Sequence, residues 1–80
     1  MNLKNISRMA VDPHLLYKHV GAAVKAARTK KKMPQETLAA SVGLTRTSIC
    51  NLEGGNQMTP LHVLYNIAIV CGIEVTDLLP

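Results

Sequence analysis

Three polar side chains near the middle of the chain have the residue types and the spacing needed to read DNA bases. Arg46 and Thr47 are adjacent, and Asn51 follows one helical turn later. A guanidinium can form two hydrogen bonds with guanine, an amide can form two with adenine, and a threonine methyl group can contact that of thymine. We therefore interpret Arg46, Thr47 and Asn51 as base-reading residues. Three alternatives stay open: Arg46 contacts a phosphate, Thr47 uses its hydroxyl on a base or a phosphate, and Asn51 is a solvated residue beyond the reach of the bases.

The segment that carries these residues is predicted to form two short helices joined by a glycine turn. Residues 35–55 read QETLAASVGLTRTSICNLEGG, with Gly43 at the corner. Leu38 provides the apolar side of the first helix, and Ile49 and Leu52 provide that of the second. Two helices fixed at a steep angle, the second displaying polar side chains, form the arrangement that places a helix in the DNA major groove.

Apolar periodicity and helix-end signals predict helices along the rest of the chain and no strand. We expect an all-α fold, a compact five-helix bundle, with residues 1–12 as an N-terminal arm and residues 13–80 as one helix-turn-helix domain. The helix-turn-helix itself is expected at about residues 34–54. The other helices are expected at about residues 13–29 and 60–71, with a last turn at about 75–79. For the helix near residues 60–71, the predicted inward side chains are Leu61, Leu64, Ala68 and Cys71.

The basic residues are confined to one part of the chain. The net charge is +4 over 80 residues, and all nine Lys and Arg residues lie between Lys4 and Arg46. Residues 47–80 carry three charged side chains, all of them acidic. A basic surface favours a polyanionic partner such as double-stranded DNA. We expect the first half of the chain to face phosphate and the second half to be suited to burial.

Other functional classes lack their usual signals. The histidines and the two cysteines, Cys50 and Cys71, do not have zinc-ligand spacing, so no metal site is expected. We find no nucleotide-binding glycine loop, nucleophile–base pair or carboxylate pair, and therefore expect no cofactor, no catalytic residue and no enzyme activity. The longest apolar run, residues 61–75, is too short and too interrupted to span a bilayer. We expect a cytoplasmic protein with reduced cysteines and no membrane partner.

A series of residues in one register extends the pattern over about residues 20–79. It comprises Arg28, Gln35, Leu38, Ala39, Gly43, Thr45, Ile49, Glu53, Gly54, Gly55, Pro60, Leu61, Leu64, Ala68, Gly72, Ile73, Leu78 and Leu79. This series resembles the lambda repressor/Cro-type (XRE-like) helix-turn-helix family, which implies a small DNA-binding domain. Two positions depart from the family pattern. Pro34 stands where a hydroxyl or amide residue usually caps the second helix, and Lys32 stands where a glycine often ends the first.

The resemblance also implies roles outside the base-reading set. Gln35 matches a glutamine that holds a phosphate and braces the recognition helix. Arg28 and Glu53 match a partly buried ion pair, so we expect Arg28 to be structural rather than a DNA contact. Asn56 lies in the loop that usually approaches the sugar–phosphate chain, where many relatives carry Lys or Arg.

Three further residues are candidates for phosphate binding because of their positions. Thr45 can cap the recognition helix and also contact a backbone oxygen. Ser48 flanks the reading face, with contact to a neighbouring helix as the alternative. Lys32 closes the lysine run at residues 30–32, which can equally form a solvated face.

An excess of apolar residues near the end of the chain predicts an interface between two copies. The candidate residues are Tyr65, Ile69, Val70, Leu78 and Leu79. A symmetric dimer would place two recognition helices about 34 Å apart on a near-palindromic operator. One alternative is a monomer with scattered apolar residues on its surface, and another is an interface that involves the N-terminal arm.

These features together predict a sequence-specific DNA-binding transcriptional regulator that represses as a homodimer. Two alternatives share the fold: a controller protein of a restriction–modification system, and an antitoxin that neutralises a toxin while its DNA binding regulates the pair. A third is an interaction module without DNA binding, against which Arg46 and the basic first half argue.

Overall fold

A computed structural model describes residues 11–80, and in that range the chain forms α-helices, one 3-10 helix and no strand. The helices are α1 (Pro13–Lys30), α2 (Gln35–Ser41), α3 (Arg46–Glu53), α4 (Leu61–Cys71) and a C-terminal 3-10 helix (Val75–Leu78). The predicted all-α class is confirmed, although the fifth helix is a single 3-10 turn. Most of the predicted arm, residues 1–10, lies outside the described residues.

Helix α1 begins at a side-chain cap and is followed by a residue in a left-handed conformation. Asp12 begins the helix, because its carboxylate accepts hydrogen bonds from the N–H groups of His14 at 2.9 Å and Leu15 at 3.3 Å. At the other end Lys32 has a φ of 55°, a left-handed conformation that favours glycine. Pro34 follows in extended conformation and gives α2 no side-chain cap. The two departures from the family pattern therefore lie at one corner.

The core is aliphatic and is contributed by every helix. Its most deeply buried side chains include Val24 of α1, Leu38 of α2, Ile49 and Leu52 of α3, Ile67 of α4 and Leu78 of the 3-10 helix. α1 packs mainly against α3 and the 3-10 helix, and α2 packs mainly against α3. This packing holds α3 against the body of the domain along one side.

The inward face of α4 differs from the prediction at two residues. Leu61 was expected inside but is 65% exposed, whereas Val63 is buried at 5%. Both residues fit a 3.6-residue period, so periodicity alone does not choose between the two rows. Contact with α1, α2 and the 3-10 helix selects the row that contains Val63 and Ile67.

Leu78 was predicted to lie in a dimer interface, and that prediction is wrong. Gly72, with a φ of 69°, ends α4 and reverses the chain. The N–H of Glu74 donates to the Asp77 carboxylate at 3.0 Å, which helps to fold the following 3-10 helix. That helix directs Leu78 into the core with no exposed surface.

Candidate nucleic-acid interface

The exposed side of α3 carries the three residues predicted to read bases. Arg46, Thr47 and Asn51 are all exposed, whereas Ile49 and Leu52 on the opposite side are buried. The glycine turn before α3 sets its direction: Gly43 has a φ of 71°, and the N–H of Leu44 donates to the Ala39 carbonyl oxygen at 2.9 Å. No other group of the described chain hydrogen-bonds the three polar side chains, which leaves them available to a ligand.

The beginning of α3 is organised by a hydroxyl pair. Thr45 Oγ1 accepts a hydrogen bond from the N–H of Ser48 at 3.1 Å and donates its own hydrogen to Ser48 Oγ at 3.1 Å. Thr45 therefore caps the helix, as predicted. Because each hydroxyl has one hydrogen to donate, this arrangement leaves the hydrogen of Ser48 free to point outward.

The end of α3 is tied to α1 by a bidentate ion pair. Arg28 Nε lies 2.6 Å from Glu53 Oε2, and one terminal nitrogen lies 3.0 Å from Oε1. The other terminal nitrogen donates to the Met33 carbonyl oxygen at 2.7 Å. Arg28 is only 9% exposed and Glu53 only 8%. The hydrogen bond to Glu53 raises the pKa of the Arg28 guanidinium above its ordinary value, although burial opposes the shift.

Gln35 joins this ion pair to the start of α2. Its Nε2 donates to Glu53 Oε1 at 3.0 Å, so one carboxylate receives hydrogen bonds from both α1 and α2. The amide keeps a second N–H and its carbonyl oxygen for other partners. Gln35 thus braces the end of α3, and its second N–H is the group that could donate to a phosphate.

The backbones of α1 and the end of α3 approach closely, which the sequence patterns did not predict. A methyl group at Gly21 would lie 2.3 Å from the Leu52 carbonyl oxygen and 2.7 Å from that of Glu53, both backbone atoms. Gly21 is therefore the residue that lets the two backbones meet. The available signal was a glycine inside an otherwise strong helical stretch. Because glycine lowers helix stability, its presence there indicates that packing requires it.

Two other phosphate candidates lie in the connections between helices. The N–H of Asn56 donates to the Asn51 carbonyl oxygen at 2.9 Å, which folds the α3–α4 loop back onto the helix. Lys32 is exposed at the α1–α2 corner, three residues before Gln35. Asn56 thus lies beside the end of α3, Lys32 lies at the α1–α2 corner, and Thr45 and Ser48 lie at the beginning of α3.

A separate apolar surface lies on the outside of α4. It is formed by Leu61, Tyr65 and Ile69, which are four residues apart and exposed, and we call it the α4 outer face. Ile69 is the most exposed of them, at 75%. Leu79 is also exposed, whereas Val70 packs partly against the core.

Residues 11–80 contain neither a cluster of metal ligands nor a membrane-spanning helix. No three of the His, Cys, Asp and Glu side chains in that range come together as metal ligands would. None of its helices combines the length and the apolar character needed to cross a membrane.

The chain is similar to a phage control protein in sequence and to a restriction–modification controller in structure. The chain is 30% identical over 61 residues to the ImmF control region 10 kDa protein of Bacillus phage phi105, covering 76% of this chain and 68% of that protein. Its fold matches the restriction–modification controller protein C.AhdI from Aeromonas hydrophila with a TM-score of 0.74 and 31% identity, over 78% of this chain and 94% of that one.

Two further structures share the fold in longer chains. The clp gene regulator ClgR from Corynebacterium glutamicum matches with a TM-score of 0.76 and 22% identity, over 78% of this chain and 66% of that one. Hydroxypropylphosphonic acid epoxidase from S. wedmorenis matches with a TM-score of 0.73 and 28% identity, over 81% of this chain but only 35% of the enzyme. The epoxidase therefore contains this fold as a minor part of its length.

The family profile agrees with these relatives and with the geometry of α2 and α3. The helix-turn-helix family HTH_3 matches residues 24–78, which is more than half of the chain and includes every helix except the first part of α1. The protein therefore belongs to the lambda repressor-type (XRE-like) helix-turn-helix family of DNA-binding transcription regulators.

Proposed function

We propose that this protein is a cytoplasmic transcriptional repressor that binds a near-palindromic operator as a homodimer. The observation that carries the proposal is the contrast around α3: its last turn is held by α1 and α2, while Arg46, Thr47 and Asn51 are exposed. A rigidly held helix with free polar side chains can enter a major groove without reorganising. Occupying a promoter in this way would exclude polymerase.

We assign the contacts by the position of each side chain. Arg46, Thr47 and Asn51 read base edges, because they are exposed on the outer side of α3. Ser48 and Thr45 hold a phosphate at the beginning of the helix. Gln35 and Asn56 hold phosphates near its end, and Lys32 holds one at the α1–α2 corner. Phosphate contacts of this kind position a protein on DNA but do not specify sequence.

Selection of bound sites from random DNA tests the assignment of the reading residues. We expect a near-palindromic consensus, and we expect Arg46→Ala to cost roughly 1–3 kcal/mol of discrimination at one base pair. Thr76→Ala is the matched control, since Thr76 is exposed on the 3-10 helix. Alanine at positions 46, 47 and 51 together, with operator affinity unchanged, would refute the proposal.

The α4 outer face is the surface that we assign to the dimer. Tyr65, Ile69, Leu79 and the exposed edge of Val70 remain from the predicted set, and Leu61 joins them. Residues 54–80 contain no Lys or Arg, so a second copy would meet no basic repulsion there. Burial of apolar surface stabilises association by roughly 25 cal/mol per Å² before the entropic cost of binding is subtracted.

A charge placed on this face tests the dimer. Ile69→Glu should shift the protein to a monomer in analytical ultracentrifugation and weaken operator binding. Asn66→Glu adds the same charge at another exposed position of α4 and should leave assembly intact. If the Ile69→Glu variant remains a dimer, the dimer interface does not include the α4 outer face.

One specific observation favours a second candidate, a restriction–modification controller. The chain aligns with 94% of the controller C.AhdI at 31% identity. A reporter driven by the selected operator separates the two functions, because a repressor lowers expression at all protein levels. A controller that also activates would raise expression within some range. Isolation of a stable complex with a second, toxic protein would instead favour the antitoxin alternative.

A further inference from the structure

Lys18 on α1 lies directly against the loop that follows α3. A methyl group at Gly55 would lie 2.7 Å from both Cα and Cγ of Lys18 and 2.9 Å from its backbone N. Gly55 has a φ of 72° and is buried under this lysine, whereas Lys18 is itself exposed. The first part of the lysine side chain therefore covers the loop, and its charged end extends into solvent beside it.

This position is connected to the DNA-reading helix by a short series of contacts. Lys18 packs on Gly55, the next residue is Asn56, and the N–H of Asn56 donates to the Asn51 carbonyl oxygen at 2.9 Å. Lys18 is thus next to the α3–α4 loop, which folds back onto the reading residue Asn51. The α3–α4 loop itself has no cation, because residues 47–80 contain neither Lys nor Arg.

We propose that Lys18 binds a DNA phosphate beside the α3–α4 loop and supplies from α1 the positive charge that the loop lacks. The inference rests on the proposed function, since it assumes that α3 lies in a major groove. Its ligand is a phosphodiester, so the contact is independent of base sequence. Gly55 serves it by letting α1 approach the loop closely enough for the lysine to reach past it.

The salt dependence of operator binding tests this contact. The slope of log affinity against log salt falls by about 0.9 for each phosphate contact that is lost. Lys18→Met keeps the aliphatic packing on Gly55 but removes the charge, so we expect the slope to fall by that amount per subunit. Lys18→Arg should keep the slope. Lys30→Gln removes the same charge from the end of α1, next to Cys71 and Ile73, and should change the slope less.

The outcomes separate this inference from the proposed function. If Lys18→Met keeps both the slope and the affinity of the wild-type protein while Arg46→Ala still loses discrimination at one base pair, the phosphate contact is refuted and the proposed function stands. If no variant and no operator shows specific binding, the proposed function fails instead. Equal slope changes in Lys18→Met and Lys30→Gln would also refute the contact, because they would reflect net charge alone. Circular dichroism melting of each variant confirms that it is folded.

Discussion

The first turn of α3 and its last turn have opposite surroundings. Arg46 and Thr47 are exposed, and the backbone there is organised by the single cap at Thr45. Glu53 is nearly enclosed by hydrogen bonds from Arg28 and Gln35. Glu53 therefore ties the end of α3 to α1 and α2, whereas the side chains of Arg46 and Thr47 have no such partners in the described chain. Substitutions of Glu53 and its partners should act on stability, and those of the exposed Arg46 and Thr47 should act on DNA binding.

The largest expected effect comes from breaking the ion pair. Arg28→Ala leaves the Glu53 carboxylate buried without its bidentate partner, so we expect a loss of about 3–5 kcal/mol in the free energy of unfolding. Urea denaturation measures it. Lys25→Ala removes the same charge from an exposed position of α1 and should change stability little. An unchanged melting temperature with abolished DNA binding would instead make Arg28 a DNA contact.

Adding a methyl group where α1 contacts α3 should have the next largest effect. Gly21→Ala places a methyl group against the backbone oxygens of Leu52 and Glu53, which cannot rotate away. We expect destabilisation of about 1–3 kcal/mol from overpacking, although alanine favours a helix. Ala22→Ser enlarges the exposed neighbouring residue and serves as the control. A stabilised Gly21→Ala variant would show that the two helices can separate without cost.

Removing the cap tests the free end of α3. Thr45→Ala deletes the acceptor for the Ser48 N–H and should lower the free energy of unfolding by about 1 kcal/mol. Thr45→Ser should restore it. Thr47 lies two residues after the cap and makes no capping bond. Thr47→Ala should therefore change the free energy of unfolding by less than about 0.5 kcal/mol while reducing operator affinity. Thermal melting and DNA titration together distinguish these effects.

The corner between α1 and α2 offers a stabilising substitution. Lys32→Gly relieves a left-handed conformation that costs an L-residue about 1–2 kcal/mol, so the melting temperature should rise. Lys25→Gly removes the same charge from the interior of α1 and should lower stability by about 1 kcal/mol. If both variants lower the melting temperature, Lys32 is not strained.

The two cysteines should differ in their rate of reaction with an alkylating agent. Cys50 is exposed on α3, whereas Cys71 is buried in the core and its pKa is raised mainly by burial. Because the thiolate is the reactive form, a raised pKa keeps Cys71 protonated to higher pH. Alkylation of the native protein at pH 8 should label Cys50 first, as followed by mass spectrometry. Equal labelling rates would show that the core opens readily.

Local patterns were sufficient for the elements and for the exposed side of α3. Asp12 before Pro13, Gly43 at a corner and the inward pair Ile49 and Leu52 each involve neighbours within a few residues, and the structure has them where they were predicted. The roles assigned to individual DNA-binding residues remain predictions. They depend on a ligand as well as on the chain.

Contacts between distant segments were not predictable in the same way. The approach of Gly21 to the Leu52 carbonyl oxygen and the packing of Lys18 on Gly55 each join residues more than 30 positions apart. Neither leaves a periodic signal. The Arg28–Glu53 pair, also distant, was expected only because its positions resemble those of a known family.

The amino-acid sequence by itself determined an all-α chain with a helix-turn-helix, a basic first half and a polar outer side on α3, because these follow from local periodicity, helix ends and charge. The tertiary structure alone decided that Val63 rather than Leu61 enters the core, that Leu78 is buried, and that Gln35 shares Glu53 with Arg28. Periodicity defines a helical face to within one row of side chains. The choice between adjacent rows depends on which surfaces the other helices present.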